Sequence, residues 1–472
     1  MIQGTATSDE PHTAVRDDTA ARPAAAPVPG ELARLGRRSF SRGLVAETQE
    51  SGKNDFARPQ RRDRPRNGEA LRPGARQETL REANLLVLTE EIFAAAEPLS
   101  RADLSIRTGM TRSTVSRLVD ELLAAGIVRE GSPVVGGARG RPAVPLTPAR
   151  KTLAGLGVEV NVNFMAARAL DLTGAVLSEE IIEGDYRDSD PAQVLGSAGA
   201  LAGRVAAAAQ QTGARVVGTV AAIPGLVAGD ERSLLYAPNL GWKSVDVIDA
   251  FGAGWPERPG FALVVNEAKL AALAVAEELT AEDLTEQTFI YLSAQAGIGS
   301  AVVVDGLVDP GPHGWAGEIG HLTVEPSGPQ CSCGSTGCLE VYAGKHSLLQ
   351  AAGLSPTGTA EDLVSLTEGD DDAAAQARAA VAQAGEALGV ALSGAVNLVD
   401  VHDVVLGGEF APLTDLLRSC IEAQLRQRVL AAEFCEFRVR ESRSGLSPAA
   451  SGGALRALRA VIEAPQDWVP AA

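Results

Sequence analysis

Within a span of 18 residues the chain places one histidine and three of its five cysteines, His321, Cys331, Cys333 and Cys338, in the spacing His-x9-Cys-x-Cys-x4-Cys. One imidazole and three thiolates complete a tetrahedral Zn²⁺ shell and leave no open position for water, so such a site is structural rather than hydrolytic. It would pin a loop and hold the flanking polar groups, Glu318 and Glu340, rigidly. The alternative is a disulfide between two of the cysteines. A chain with no secretory signal and a cytoplasmic character keeps its thiols reduced, which favours the metal.

At 472 residues the chain is too long for one ordinary core, so two or three domains are expected. No run of about 18 apolar residues suggests a membrane span, and the start lacks an apolar stretch behind basic residues. These features point to a soluble cytoplasmic protein. Arginine outnumbers lysine 37 to 5. The net charge of −18 argues against nucleic acid only until its distribution is seen. Residues 1–77 carry a net of +4, residues 78–150 a net of zero, and residues 151–472 a net of −22. The first third can still approach DNA. Residues 1–77, rich in Ala, Pro, Gly, Arg and Asp, read as a disordered extension.

From Glu78 the pattern becomes helical. Leu85, Leu86, Leu88, Ile92 and Phe93 form a stripe up to Ala96. Ser100 to Asp103 reads as a capping box that opens a short helix carrying Leu104 and Ile106. Gly109 makes a turn, Thr111 caps the next helix, and Val115, Leu118, Val119 and Leu122 give it a buried face. Gly126 ends it. A strand begins at Ile127, a glycine- and arginine-rich loop runs from Gly136 to Pro142, and a second strand spans Ala143–Leu146. The order is that of a winged helix-turn-helix over residues 78–148. Arg112, Ser113, Ser116 and Arg117 lead the second helix of the motif, where base edges and phosphates are met. Arg139 and Arg141, separated by Gly140, are suited to a narrow minor groove. A helical hairpin used only for packing is the blander reading.

Beyond Leu153 strands alternate with helices, which implies α/β layers. Strands are expected at 157–160, 166–170, 216–222, 262–265, 289–292, 298–304 and 404–406, with an Ala-rich helix from Ala268 to Glu278. No tandem repeat is evident.

Gly317-Glu318-Ile319-Gly320-His321, followed by Cys331-Ser332-Cys333-Gly334 and Gly337-Cys338-Leu339-Glu340, resembles the ROK family of repressors, open reading frames and sugar kinases. Thr111 to Arg117 and Arg139-Gly140-Arg141-Pro142 resemble the winged helix of its repressors. The resemblance covers roughly residues 78–460. It implies an actin-like (ribonuclease H-like) two-lobed sugar-kinase fold over residues 152–465, and it raises an enzyme alternative, an ATP-dependent sugar kinase. Where family kinases open their first strand with Asp-x-Gly-Gly-Thr-Lys, this chain reads Glu159-Val160-Asn161-Val162-Asn163-Phe164. Both glycines and the cation are gone, which speaks against ATP. The catalytic Asp after an Asn is matched by Asn266-Glu267, a vestigial base position. The second phosphate loop reads Ala294 to Ser300, with Gly297 and Gly299 kept, and Leu406-Gly407-Gly408 survives as a weakly specific turn.

The sugar side is better kept. The resemblance assigns Asn239, Asn266, Glu267, Glu318, His321 and Glu340 to a hexose-type pocket. Carboxylates and amides are what neutral polyols need, and His321 would serve the metal with one ring nitrogen and the sugar with the other. Support of the zinc ligands or a surface ion pair is the alternative for Glu318 and Glu340, and a turn role for Asn239. His313, His346 and His402, with Cys420 and Cys435, match nothing. The expectation is a sugar-responsive transcriptional regulator, a repressor without enzymatic activity. It would bind operator DNA as a homodimer or higher homo-oligomer and carry structural zinc.

Overall fold

The computed structural model describes residues 73–133, 143–282, 287–295 and 297–469. The head opens with α1 (Pro73–Ala94), β1 (Leu99–Ser100), α2 (Arg101–Thr108), α3 (Arg112–Ala124), β2 (Val128–Glu130) and β3 (Pro145–Pro148). The helix starts at Pro73, inside the stretch read as disordered. Its opening residues include Ala75, Arg76, Gln77 and Glu78, types of good intrinsic helix propensity. Ser100 and Asp103 form the expected capping box on α2, and Thr111 caps α3 through the Thr114 amide. Val115, Leu118, Val119 and Leu122 are fully buried, each contributing about 1.5–3 kcal/mol. Ile106 instead stands 80% exposed, because two residues after the buried Leu104 a helix points elsewhere. The second wing strand lies at Pro145–Pro148 rather than Ala143–Leu146, paired with both β1 and β2. Three helices and a small antiparallel sheet make a winged helix-turn-helix.

The first lobe comprises β4 (Leu153–Val160), β5 (Phe164–Asp171), β6 (Val176–Glu183), α4 (Pro191–Gln211), β7 (Arg215–Ile223), β8 (Leu226–Val227), β9 (Ser233–Ala237), β10 (Trp242–Asp246), α5 (Val247–Gly254), β11 (Phe261–Asn266) and α6 (Glu267–Glu282). The second comprises β12 (Phe289–Ala294), β13 (Ile298–Val304), β14 (Leu307–Asp309), α7 (Glu340–Ala343), α8 (Lys345–Ala351), α9 (Ala360–Thr367), α10 (Asp372–Val399), β15 (Asp403–Gly408), α11 (Thr414–Arg428) and β16 (Arg438–Glu441). The chain then returns to the first lobe as α12 (Pro448–Glu463).

Each lobe is built on a five-stranded sheet, in the orders β6-β5-β4-β7-β11 and β14-β13-β12-β15-β16. In both, the first three strands form an antiparallel meander and the last two are parallel. The lobes are therefore two copies of one ribonuclease H-like plan, the actin-like arrangement. Among the described residues the chain leaves the first lobe after α6 and comes back to it with α12. β4 is buried along its whole length, so it reads as continuous apolar sequence rather than as an alternation. Its Gly155 and Gly157 let α12 approach backbone to backbone: a Cβ at Gly157 would lie 1.8 Å from the Ala450 carbonyl oxygen.

Among the described residues, α10 is the one helix long and apolar enough to cross a membrane by length and composition, and 61% of its apolar window is buried inside the protein. It forms much of the second lobe's core with Leu292, Leu406 and Leu417. The head is not a separate body. Leu85, Leu88 and Ile92 of α1 share one core with Leu170, Val217, Leu458 and Val461 of the first lobe.

Candidate functional site

On the head, α3 presents Arg112, Ser113 and Arg117 exposed and Ser116 half-buried. Arg117 is held by Glu121 at 2.8 Å, and Arg81 of α1 grips the same carboxylate at 2.6 Å. Arg112 is thus the more available cation at the tip. Arg139 and Arg141 lie outside the described residues.

Between the lobes is a cavity of about 340 Å³, at the lower end of the ~300–1,000 Å³ common for small-molecule sites. Asn239, Asn266, Glu267, Glu318, His321 and Glu340 all line it. They come from separate elements: a 3₁₀ turn at Pro238–Leu240, the β11–α6 junction, a 3₁₀ turn at Ile319–His321, and the first residue of α7. Their freedom differs. Asn266 donates to the Gly225 carbonyl at 2.9 Å and accepts from the Lys269 amide at 3.2 Å, so it ties a loop to the start of α6. Glu340 accepts the Ile298 amide at 3.0 Å. A Cβ at Gly297 would sit 2.3 Å from Glu340 Oε2 and 2.5 Å from Asn239 Nδ2, so both side chains would have to shift to admit one.

Glu267 accepts from Asn161 Nδ2 at 3.0 Å, and burial pushes its carboxyl up to about 7. Behind it, Glu159 is 1% exposed and accepts the Ala450 amide at 3.1 Å. Burial, then the neighbouring Glu267, hold the Glu159 carboxyl well above the usual range. Burial also raises Glu318, against the pull of His321 and the buried Lys269. Lys269 donates to the Gly314 carbonyl. No local pattern announced Lys269 or Asn161. Trp315, also unanticipated, donates its indole N–H to the Val227 carbonyl at 2.8 Å and so joins the second lobe to the first.

The four metal candidates converge. Ligand atoms of His321, Cys331, Cys333 and Cys338 all lie within 4.8 Å of one another. Cys331 Sγ is 3.9 Å from His321 Nδ1, and Cys333 Sγ is 3.8 Å from Cys338 Sγ. A tetrahedral shell with Zn–S bonds of about 2.3 Å has edges of about 3.8 Å. The thiols are not joined as disulfides. Gly337, with φ +66°, shapes the loop, since a Cβ there would lie 1.6 Å from the Glu325 carbonyl. The donor set fits Zn²⁺, and His321 bridges the cluster and the cavity.

Val162 is buried at the cavity wall. Phe164 lines a second cleft with Gln295 and Lys345. After Gly407-Gly408, Glu409 accepts from Lys345 Nζ at 2.6 Å and from the Ala360 amide at 3.0 Å. A carboxylate of the chain itself therefore sits at the start of α9, where helix amides favour an anion.

The sequence pattern of the ROK family matches residues 156–459, and that of the MarR family matches residues 92–137. The xylose repressor of Bacillus subtilis (strain 168) is 26% identical over 360 residues, 75% of this chain and 89% of the relative. A crystal structure of a ROK family transcriptional regulator, a homolog of the E. coli MLC protein, superposes with a TM-score of 0.66 at 23% identity, covering 83% of this chain and 99% of the other. The ROK hexokinase from Thermus thermophilus superposes with a TM-score of 0.52 at 26% identity, over 66% of this chain and 99% of its own.

Proposed function

The chain belongs to the ROK family, and from that premise we propose that it is a sugar-responsive DNA-binding transcriptional regulator, a repressor of carbohydrate genes. The observation that carries this reading is that one rigidly joined chain holds both a winged helix-turn-helix and an interlobe cavity lined by Asn239, Asn266, Glu267, Glu318, His321 and Glu340. The regulator-like structural neighbour spans head and lobes together, and the B. subtilis relative is by name a xylose repressor.

In this reading α3 enters the major groove with Arg112, Ser113, Ser116 and Arg117, and Arg139 and Arg141 reach the minor groove. The protein acts in the cytoplasm as a homodimer on a two-fold operator. Zinc held by His321, Cys331, Cys333 and Cys338 would fix the imidazole tautomer and the adjacent Glu318 and Glu340. Sugar hydroxyls would donate to the carboxylates, and the ligand would act through its different affinity for two lobe angles, worth about 1–3 kcal/mol. No phosphoryl transfer is assigned. Val162 fills the place where backbone would approach phosphate, Phe164 replaces a cation, and the Glu409 carboxylate stands after the Gly407-Gly408 turn.

The test is fluorescence anisotropy on DNA from upstream of the protein's own gene, at fixed salt, with D-xylose, D-glucose and N-acetyl-D-glucosamine added in turn. Specific binding that one sugar alters is the expected result. Absence of any preference over random DNA, together with sugar-dependent ADP release that vanishes in Glu267→Gln, would replace the reading with a sugar kinase.

A further inference from the structure

Behind the cavity, two elements, one carrying Glu159 and the other the cavity's Glu267, both abut the first turns of α12. Glu159, near the end of β4, accepts the Ala450 amide at the third residue of that helix. Arg168 of β5 donates to Ser451 Oγ one residue later. On the other side α6, whose first residue is Glu267, lies against the same turns: a Cβ at Gly452 would be 1.8 Å from the Leu270 carbonyl. Here backbone meets backbone, with no long side chain to absorb a shift. Close-packed contacts of this kind transmit displacement instead of damping it.

The other half of α12 carries the head. Leu455, Leu458, Val461 and Ile462 share a core with Leu85, Leu88 and Ile92 of α1. The 3₁₀ turn Pro465–Asp467 that follows leads to Trp468, whose ring lies under the Arg215 guanidinium of β7 at 5.3 Å. A helix of 16 residues spans about 24 Å at 1.5 Å per residue. One rigid rod therefore begins at Glu159 and ends at the head.

We propose that Glu159 is a positioning residue that couples the state of Glu267 in the cavity to the DNA-binding head by holding the first turn of α12. The proposal rests on the regulator reading for its purpose but not for its test. Glu267 accepts from Asn161 Nδ2 at 3.0 Å, two residues beyond Glu159 on the same strand end, so a change at Glu267, by a bound hydroxyl or by substitution, reaches Glu159 through that strand end. Glu159 answers through the Ala450 amide, and α12 carries the shift to α1.

The experiment is hydrogen–deuterium exchange on the full chain, without ligand, as a double-mutant cycle of wild type, Glu267→Gln, Glu159→Gln and the pair. The readout is amide protection in residues 85–93 and 115–122 of the head. Glu267→Gln is expected to change head protection by about twofold or more, the lower bound for residues that share a network. In the Glu159→Gln background that change should vanish. A merely structural Glu159 would give additive effects, and additivity overturns the proposal. So does a head whose exchange ignores Glu267→Gln. Asn161→Ala, which removes the Glu267 hydrogen bond, supplies a second cavity perturbation should Glu267→Gln fold poorly, and is held to the same outcomes. Calorimetric titration of wild type with the three sugars separates the two ideas: no sugar binding sinks the effector reading, while the cycle still judges the relay.

Discussion

Replacing Gly297 with alanine should disable the cavity while leaving the rest of the protein intact. The added Cβ would stand 2.3 Å from Glu340 Oε2 and 2.5 Å from Asn239 Nδ2, about 1 Å inside an ordinary C···O contact of ~3.3 Å. Glu340 Oε2 already accepts the Ile298 amide at 3.0 Å, so it cannot retreat without giving up that bond or its aim into the cavity. Loss of one hydrogen bond to a charged group costs about 1.5–3 kcal/mol, which is roughly a 10- to 150-fold weaker sugar affinity. The assay is calorimetric titration with whichever of D-xylose, D-glucose and N-acetyl-D-glucosamine binds wild type. Operator affinity without sugar, read by anisotropy, serves as the folding control and should hold within about twofold, because the head's core does not include Gly297. Undiminished sugar affinity in Gly297→Ala would refute the placement of the sugar against Glu340 and Asn239.

Protein purified without added metal should carry about one zinc per chain, and Cys331→Ser should lower both the zinc content and the melting temperature. Metal-free wild type with the same melting temperature would remove the structural role. Arg112→Ala should weaken operator binding by about 1–3 kcal/mol or reduce the salt slope by about one, and Arg117→Ala should do less, because Glu121 already holds that guanidinium. Equal, negligible effects would argue that α3 does not lead into the groove. Glu267, raised to about 7 by burial from an unfolded value of about 4.3, holds a proton in the folded state that the unfolded chain has released. Stability should therefore fall as pH rises from about 4.5 to 7. The urea midpoint of Glu267→Gln should fall less over that window, and parallel pH profiles would contradict the assignment.

What the sequence made legible was local or carried by a specific spacing. The Ser100 capping box, the buried face of α3 and the convergence of His321 with three cysteines all announce themselves within one turn or one loop. The six cavity residues were legible only through a family resemblance, since they lie on elements far apart in the chain. The repeat of one sheet plan in both lobes left no trace because it is a repeat of topology, not of side chains. α4 was invisible for a different reason: its Ala and Gly give little contrast between buried and exposed faces. Glu159 looked like a substituted phosphate-loop residue, and its partner Ala450 lies 291 positions away. Glu409 and Lys345, 64 positions apart, are hidden in the same way, as is the Trp315 clasp to Val227, 88 positions apart.

The Glu159–Glu267 pair also bears on why this fold suits a switch. A carboxylate as buried as Glu159 is costly to ionise, the more so with the half-buried Glu267 nearby, and an apolar residue of similar size would stabilise its place better. The stability of the lobes therefore does not account for the pair. Glu267 stands beside a cavity whose wall includes Val162, while Phe164 lines a second cleft and Glu409 holds the start of α9. Its remaining physical consequence is a charge state that a ligand hydroxyl can bias, set against the first turn of a helix whose far end carries the DNA-binding head. α12 packs on the first lobe's sheet and shares a core with the head, so a shift at its first turn is felt by the head. In the proposed reading, a winged helix mounted on α12 would make this two-lobed scaffold a lever between a bound sugar and operator DNA.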